Sequence, residues 1–177
     1  MSAELRMTMD EPPHFNELCR QVGCVVLQAQ LIESTLAAYL ATSLRLEKFE
    51  AMTQVQAALE SANRQTMGAL MQNIRKQFPL PPDIDDRIWK LKDERNWLVH
   101  RLHRENESTI FFQGQSEHVF QRIEAIACEI IAVLTELDTI GDSLMTKYGF
   151  DLSKVRNWAV ENLKAKTGNK ATDSAEE

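Results

Sequence analysis

Residues that break secondary structure are scarce in this chain, which has six glycines and five prolines among 177 residues. Few turns are therefore encoded. Residues of high helix propensity, chiefly Ala, Leu, Glu, Gln and Arg, are abundant. The hydrophobic fraction of 44% and the charged fraction of 26% are typical of a globular protein. We therefore predict an all-α protein.

Several common chemical motifs are also missing. The chain has no glycine-rich phosphate loop and no Gly-x-Ser-x-Gly elbow, which argues against a P-loop nucleotidase and an α/β-hydrolase. The three cysteines match no metal-binding spacing, because Cys19 and Cys24 are separated by four residues and Cys128 lies far away. We interpret them as reduced and mostly buried residues, and we predict no metal and no cofactor.

Positive charge is in deficit as well, since the net charge is −6. Long-range steering of the whole protein toward RNA or DNA is therefore not expected, although a local basic site stays open. The first thirteen residues are acidic and contain no apolar signal segment. Uninterrupted apolar runs fall short of the ~20 residues that cross a bilayer. We predict a soluble cytoplasmic protein.

Apolar periodicity predicts an up-and-down bundle of four main helices with accessory short helices. The second helical region is expected to break near Ser61–Asn63, with Thr66 capping the helix that follows. The expected helical regions are 14–46, 47–77, 83–104 and 116–148, with Gly149 ending the last one and a shorter helix from Asp151 or Ser153 to about 166. A short extended piece is expected at 109–112. The predicted organisation is a flexible leader at 1–13, a single helical domain at 14–165 and a disordered tail at 166–177.

Two charged residues interrupt otherwise apolar helix faces. On a helical wheel, Arg95 lies in the middle of the apolar stripe of the third main helix. Glu33 similarly lies within ~20° of several apolar residues of the first helix. An unpaired charge on such a face is costly. The hypothesis is that Glu33 and Arg95 meet inside the bundle in a two-pronged hydrogen bond.

The residues after Arg95 give the third helix a polar edge. Asn96, His100 and His103 differ by three, four or seven positions and are expected to share this edge. A metal site at His100-x-x-His103 is not predicted, because no third ligand is apparent. Trp89 and Trp97 flank the segment. Two interpretations of them stay open: they pack in a core or a dimer interface, or they stack on a base.

The segment Asp93-Glu94-Arg95-Asn96-Trp97-Leu98-Val99-His100 resembles the signature of the HEPN superfamily. These are helical-bundle domains with an arginine, a polar residue directly after it and a histidine four to six residues beyond. The resemblance covers roughly residues 14–148. It implies metal-independent endoribonuclease activity, often in toxins with antitoxin partners or in phage defence. It also implies a homodimer whose arginines and histidines line one RNA-binding cleft.

The resemblance also implies roles for individual residues. His100 would handle the proton of a 2′-hydroxyl or of the leaving oxygen, and Arg95 would stabilise charge on the phosphoryl oxygens. Asn96 would bind the phosphate or orient His100, with Glu33 and His103 as supporting residues. Two other readings stay open: a non-catalytic module that binds a nucleotide or protein partner, and a bundle in which the motif only strengthens a dimer.

Overall fold

The structure is a computed structural model that describes residues 13–46, 52–106 and 117–149, together with 151, 153, 157 and 161. The all-α prediction is confirmed, since all regular secondary structure in these residues is helical. The helices are α1 (Pro13–Leu46), α2 (Met52–Ala62), α3 (Met67–Gln77), α4 (Pro82–His100), α5 (Leu102–Glu105) and α6 (Glu117–Lys147). Residues 1–12 of the predicted leader, the extended piece at 109–112 and the tail at 166–177 lie outside the described residues, whereas Pro13, the last residue of the predicted leader, begins α1.

The predicted break in the second helical region is present between α2 and α3. Thr66 has an extended backbone, and its side-chain oxygen accepts a hydrogen bond from the backbone N–H of Ala69 at 3.4 Å. Such a cap satisfies one of the amides that a helix start leaves unpaired. The helix that follows then buries Met67, Leu70, Met71 and Ile74 against α1 and α4.

Helix α1 packs against α2, α3 and α4, but its buried face differs from the predicted one. The buried residues are centred on Leu36, whereas the predicted face was centred on Glu33, about 60° round the helix. Cys19, predicted to be buried, is exposed. The reason is that Glu33 is the only charged residue between 21 and 44, so almost every face of this segment is apolar. The buried residues of α1 include Leu18, Val25, Ala29, Ile32, Leu36 and Leu40.

Helices α4 and α6 lie antiparallel and are joined by two ion-pair clusters. Near the start of α4, Arg87 donates to Glu129 at 2.5 Å and to Glu136 at 2.6 Å, in the middle of α6. Near the end of α4, Glu94 accepts two hydrogen bonds from Arg122, at 2.9 and 3.1 Å, near the start of α6. Hydrogen bonds from Arg87 to Glu129 and then to Glu136 raise the pKa of the guanidinium. These clusters fix the position of α4 along α6.

The chain divides into two compact units, residues 1–136 and 137–177. In the second unit, the described residues include the last turns of α6, where the hydroxyls of Ser143 and Thr146 donate to carbonyls four residues earlier. Gly149 follows with φ 79°, a left-handed conformation that glycine adopts without a steric penalty. The predicted stop of this helix at Gly149 is therefore confirmed.

Helix α1 is also the one helix in the described part of the chain that is long and apolar enough to cross a membrane. The segment His14–Ser43 contains an 18-residue stretch with a mean hydropathy of 1.4. Of this stretch, 39% is buried inside the protein. A core helix of a folded domain passes the same test of length and composition. The sequence-based prediction considered only uninterrupted apolar runs and therefore overlooked this helix. Its mean hydropathy is high because Glu33 is the only charged residue in a long stretch.

Candidate functional site

The segment that carries Arg95 and His100 forms the last two turns of α4. The helix ends at His100, and Arg101 has φ −122° and ψ −23° before the short helix α5 begins. The predicted single helix to residue 104 is therefore interrupted at Arg101. The backbone N–H of Arg101 still bonds to the carbonyl of Trp97 at 2.9 Å, and buried Leu102 ties α5 to the core. His100 and His103 thus lie on either side of the break.

The buried side of α4 changes along its length. In the first half Ile84, Ile88 and Leu91 are buried, whereas in the last turns Trp97 and Leu98 are buried instead. At 100° per residue, this leaves an arc of about 140° uncovered at the end of the helix. We call this arc the α4 open face, and it consists of half-buried Arg95 and Asn96 with exposed Val99 and His100. The predicted sharing of one edge by Asn96 and His100 agrees with this arrangement.

The indole of Trp97 connects the end of α4 to both neighbouring elements. Its Nε1–H donates to Glu105 of α5 at 2.7 Å, across the helix break. The guanidinium of Arg122 in α6 lies 3.7 Å from the ring centroid, a cation–π contact, while it also pairs with Glu94. Trp97 is 3% exposed, so it packs in the core and is not accessible to a nucleobase. Trp97, Glu105, Arg122 and Glu94 together hold the α4 open face in position.

Basic side chains are concentrated at the end of α4 and in α5. Residues 95–104 contain no Asp or Glu. Within the described part of the chain, no ion pair involves the five ionisable side chains of this segment, which we call the basic cluster: Arg95, His100, Arg101, His103 and Arg104. The acidic residues nearby are used elsewhere, since Asp93 pairs with Lys92, Glu94 with Arg122, and Glu105 with Trp97. The basic cluster therefore has donors available for an anionic ligand.

The hypothesis of an internal Glu33–Arg95 pair is wrong, because no ion pair joins these two described residues. Glu33 is half-buried at the edge of the core face of α1 and lines a small polar pocket of about 150 Å³ with Asn63 and Gln65. Arg95 is likewise half-buried. Both charges thus avoid full desolvation by remaining partly in contact with solvent.

Replacing Glu33 with alanine is therefore expected to change the free energy of unfolding by no more than about 1 kcal/mol, as for other partly exposed sites. Asp85→Ala serves as the contrast, because Asp85 is 8% exposed and accepts a hydrogen bond from Arg75 Nε at 2.7 Å. It is expected to cost more than Glu33→Ala. Urea unfolding followed by circular dichroism would measure both, and a Glu33→Ala cost above that of Asp85→Ala would contradict this description.

The structure also places Trp89 and the three cysteines, which the sequence analysis singled out. Trp89 lies between two cations, with Arg75 and Lys92 each 5.0 Å from its ring centroid, and is half-buried. All three cysteines are free, as predicted, but all are exposed, so the expectation that they are buried is wrong. Among the residues described, no group of three or more His, Cys, Asp or Glu side chains is arranged to hold a metal ion.

Sequence reasoning missed the residues that support the candidate site. Glu94 bonds directly to Arg122 of α6, and Glu105 joins them through Trp97, so spacing along one helix does not reveal these residues. The absence of acidic residues from 95–104 was visible in the sequence. It was the available signal that the cations of this segment lack partners on their own helix.

Comparisons with known proteins found no match. No protein-family model, no curated protein and no solved structure matches this chain.

Proposed function

We propose that this chain is a HEPN-like, metal-independent endoribonuclease whose active residues lie on the α4 open face. The observation that carries the proposal is the basic cluster, in which a half-buried arginine and an exposed histidine lie one to two turns apart and have no carboxylate partner among the residues that the structure describes. A half-buried cation without a counterion is costly to a fold. Such a cost is typical of residues kept for a ligand of opposite charge.

The chemistry would use a proton transfer at His100. In cleavage without a metal, the 2′-hydroxyl of one nucleotide attacks the adjacent phosphorus, and the bond from phosphorus to the 5′-oxygen of the next nucleotide breaks. One proton must leave the attacking oxygen and one must reach the leaving oxygen. An imidazole exchanges protons near neutral pH. His100 is exposed at the end of α4 and is accessible for one of these two transfers.

Arg95 and Asn96 would hold the phosphate during this reaction. A guanidinium presents several N–H donors in a fixed plane and can bond two phosphoryl oxygens at once. Donors aimed at these oxygens become more effective as negative charge develops on them. Asn96 lies one turn before His100 and can donate its amide to the same group. Arg101, His103 and Arg104 would contact neighbouring phosphates and increase affinity at low salt.

A homodimer forms part of the proposal. Pairing two α4 open faces would cover exposed Val99, which is 46% exposed, and would bring two copies of Arg95 and His100 to one cleft. The proposed substrate is RNA, and the proposed setting is a cytoplasmic toxin or phage-defence protein. An antitoxin would be the partner that blocks the basic cluster until the toxin is released.

A direct assay tests this proposal. The purified chain would be incubated with a mixture of cellular RNAs in the presence of EDTA, at low and at physiological salt. Cleavage in EDTA that yields ends with a 2′,3′-cyclic phosphate supports the proposal. Intact RNA at protein concentrations that saturate RNA binding would overturn it.

A second candidate function is a non-catalytic HEPN-like module that binds a nucleotide or a protein partner. It is favoured by one observation: within the described residues, no side chain hydrogen-bonds to the imidazole of His100, whereas catalytic histidines are commonly oriented by such a bond. Tight binding of a nucleotide by the wild-type chain, without any cleavage of RNA, would favour this candidate.

A further inference from the structure

A small polar pocket lies between α1 and the turn that joins α2 to α3. Its volume is about 150 Å³, which is room for several water molecules or for one small organic group. Five of its six lining residues are polar, and one of these carries a charge. We call this cavity the Glu33 pocket. Its lining residues are Gln30, Glu33 and Ser34 of α1, Asn63 and Gln65 of the turn, and Leu70 of α3.

The wall formed by the turn is held in place by hydrogen bonds. The backbone N–H of Gln65 donates to the carbonyl of Ala62 at 2.9 Å, which closes the turn. The side-chain oxygen of Gln65 accepts a hydrogen bond from Asn73 Nδ2 at 2.8 Å. This bond fixes the side-chain amide of Gln65. Leu70 is 1% exposed and gives the pocket one apolar wall that belongs to the core. The turn side of the pocket is therefore formed before any ligand binds.

Glu33 supplies the charge that selects a ligand. It is the only charged residue between 21 and 44, and it is half-buried. No residue that the structure describes forms an ion pair with its carboxylate. This includes Arg64, which is exposed on the same turn between Asn63 and Gln65. A half-desolvated carboxylate without a counterion favours a ligand that carries positive charge and N–H donors.

A guanidinium fits the Glu33 pocket better than a metal ion does. Two of its N–H groups can bond both oxygens of one carboxylate side by side. Its other N–H groups are matched by the side-chain oxygens of Gln30, Ser34 and Asn63. A guanidinium is also weakly hydrated, so it tolerates contact with an apolar wall such as Leu70. A divalent metal ion prefers several oxygen ligands, commonly with more than one carboxylate. Within the described part of the chain, no group of three or more His, Cys, Asp or Glu side chains could hold one.

We propose that the Glu33 pocket binds a guanidinium group, carried by a small guanidino compound or by an arginine side chain of a partner. Glu33 accepts the two-pronged hydrogen bond, and the amides of the pocket wall bond the remaining N–H groups. The pocket shares no residue with the basic cluster or the α4 open face. The proposal therefore does not depend on the proposed ribonuclease activity, and RNA cleavage is a separate measurement.

The test is a calorimetric titration of the full chain with methylguanidinium at low salt. Saturable binding of one equivalent is expected. Glu33→Gln keeps the shape of the side chain and removes its charge. It is expected to weaken binding by about tenfold or more, since a hydrogen bond to a charged group is lost. Because Glu33 is half-buried and has no ion-pair partner in the described chain, the variant should keep its helical circular dichroism.

Glu60→Gln is the matched control. Glu60 is an exposed residue of α2 that does not line the Glu33 pocket, and the substitution changes the net charge by the same amount. Glu60→Gln is expected to bind methylguanidinium as tightly as the wild-type chain does.

A second titration distinguishes the two sources of the guanidinium. The probe is an arginine blocked at both ends, N-acetylarginine N-methylamide, which presents the side chain as a protein would. Tighter binding of this probe than of methylguanidinium supports an arginine of a partner protein. Tighter binding of methylguanidinium supports a small guanidino compound.

Three results would overturn the proposal. One is the absence of saturable binding of both probes to the wild-type chain. Another is equal affinity of the wild-type chain and Glu33→Gln for methylguanidinium, which would place the bound cation elsewhere. The third is tighter binding of Ca²⁺ or of propylammonium than of either guanidinium probe, because the pocket would then recognise positive charge without selecting a guanidinium.

Discussion

Replacing His100 with alanine is expected to lower the rate of RNA cleavage by about 10²–10⁴-fold, the usual contribution of a positioned acid or base. RNA binding should change little, because the three arginines of the basic cluster remain to contact the phosphates. Stability should also be unchanged, since His100 is exposed and its side chain contacts no partner among the described residues. The measurement is single-turnover cleavage of a labelled RNA in EDTA, with binding measured separately by fluorescence anisotropy.

His118→Ala is the matched control for this variant. His118 is another exposed histidine, at the start of α6, and its ring nitrogen lies 3.3 Å from the side-chain oxygen of Asn106. It is expected to cleave RNA at the wild-type rate. Equal activity of His100→Ala and His118→Ala would remove His100 from the mechanism and leave the nucleotide- or partner-binding module as the better description.

Replacing Arg95 with leucine is expected to have two opposite effects. Cleavage should fall by about 10²–10³-fold, since one set of donors to the developing negative charge is lost. Stability should rise by about 1 kcal/mol, because an apolar side chain on the stripe of Ile88 and Leu91 buries surface where a half-buried cation with no ion-pair partner in the described part of the chain lies now. The cleavage rate and the free energy of unfolding in urea would both be measured on the same preparation of the variant.

Lys90→Leu provides the comparison for stability. Lys90 is exposed on the same helix but lies about 140° away from Arg95, so a leucine there gains no core contact. It is expected to give no increase in stability. A loss of stability in Arg95→Leu would show that the guanidinium is favourable to the fold. Arg95 would then be a structural residue, and the proposed role in phosphate binding would lose its main support.

Sequence patterns located the helix ends well where a single residue fixes the local backbone. Thr66 at the start of α3 and Gly149 after α6 act through their own side chain or lack of one, so each is readable from the sequence. The buried face of α1 was not readable, because a segment with one charge in 24 residues carries apolar residues on every side. Only the neighbours α2, α3 and α4 select the face centred on Leu36.

For the candidate site as well, some features follow from the sequence and others only from the tertiary structure. The sequence by itself determined an all-helical chain, the Arg95–His100 spacing and a ten-residue segment free of acidic residues, since these depend on residue type and order alone. The tertiary structure decided that Glu33 does not neutralise Arg95, that Trp97 donates to Glu105 and stacks against Arg122, and that α1 keeps Leu27 exposed. These outcomes depend on which helix faces meet. A contact between distant segments is fixed by packing, and no local pattern encodes it.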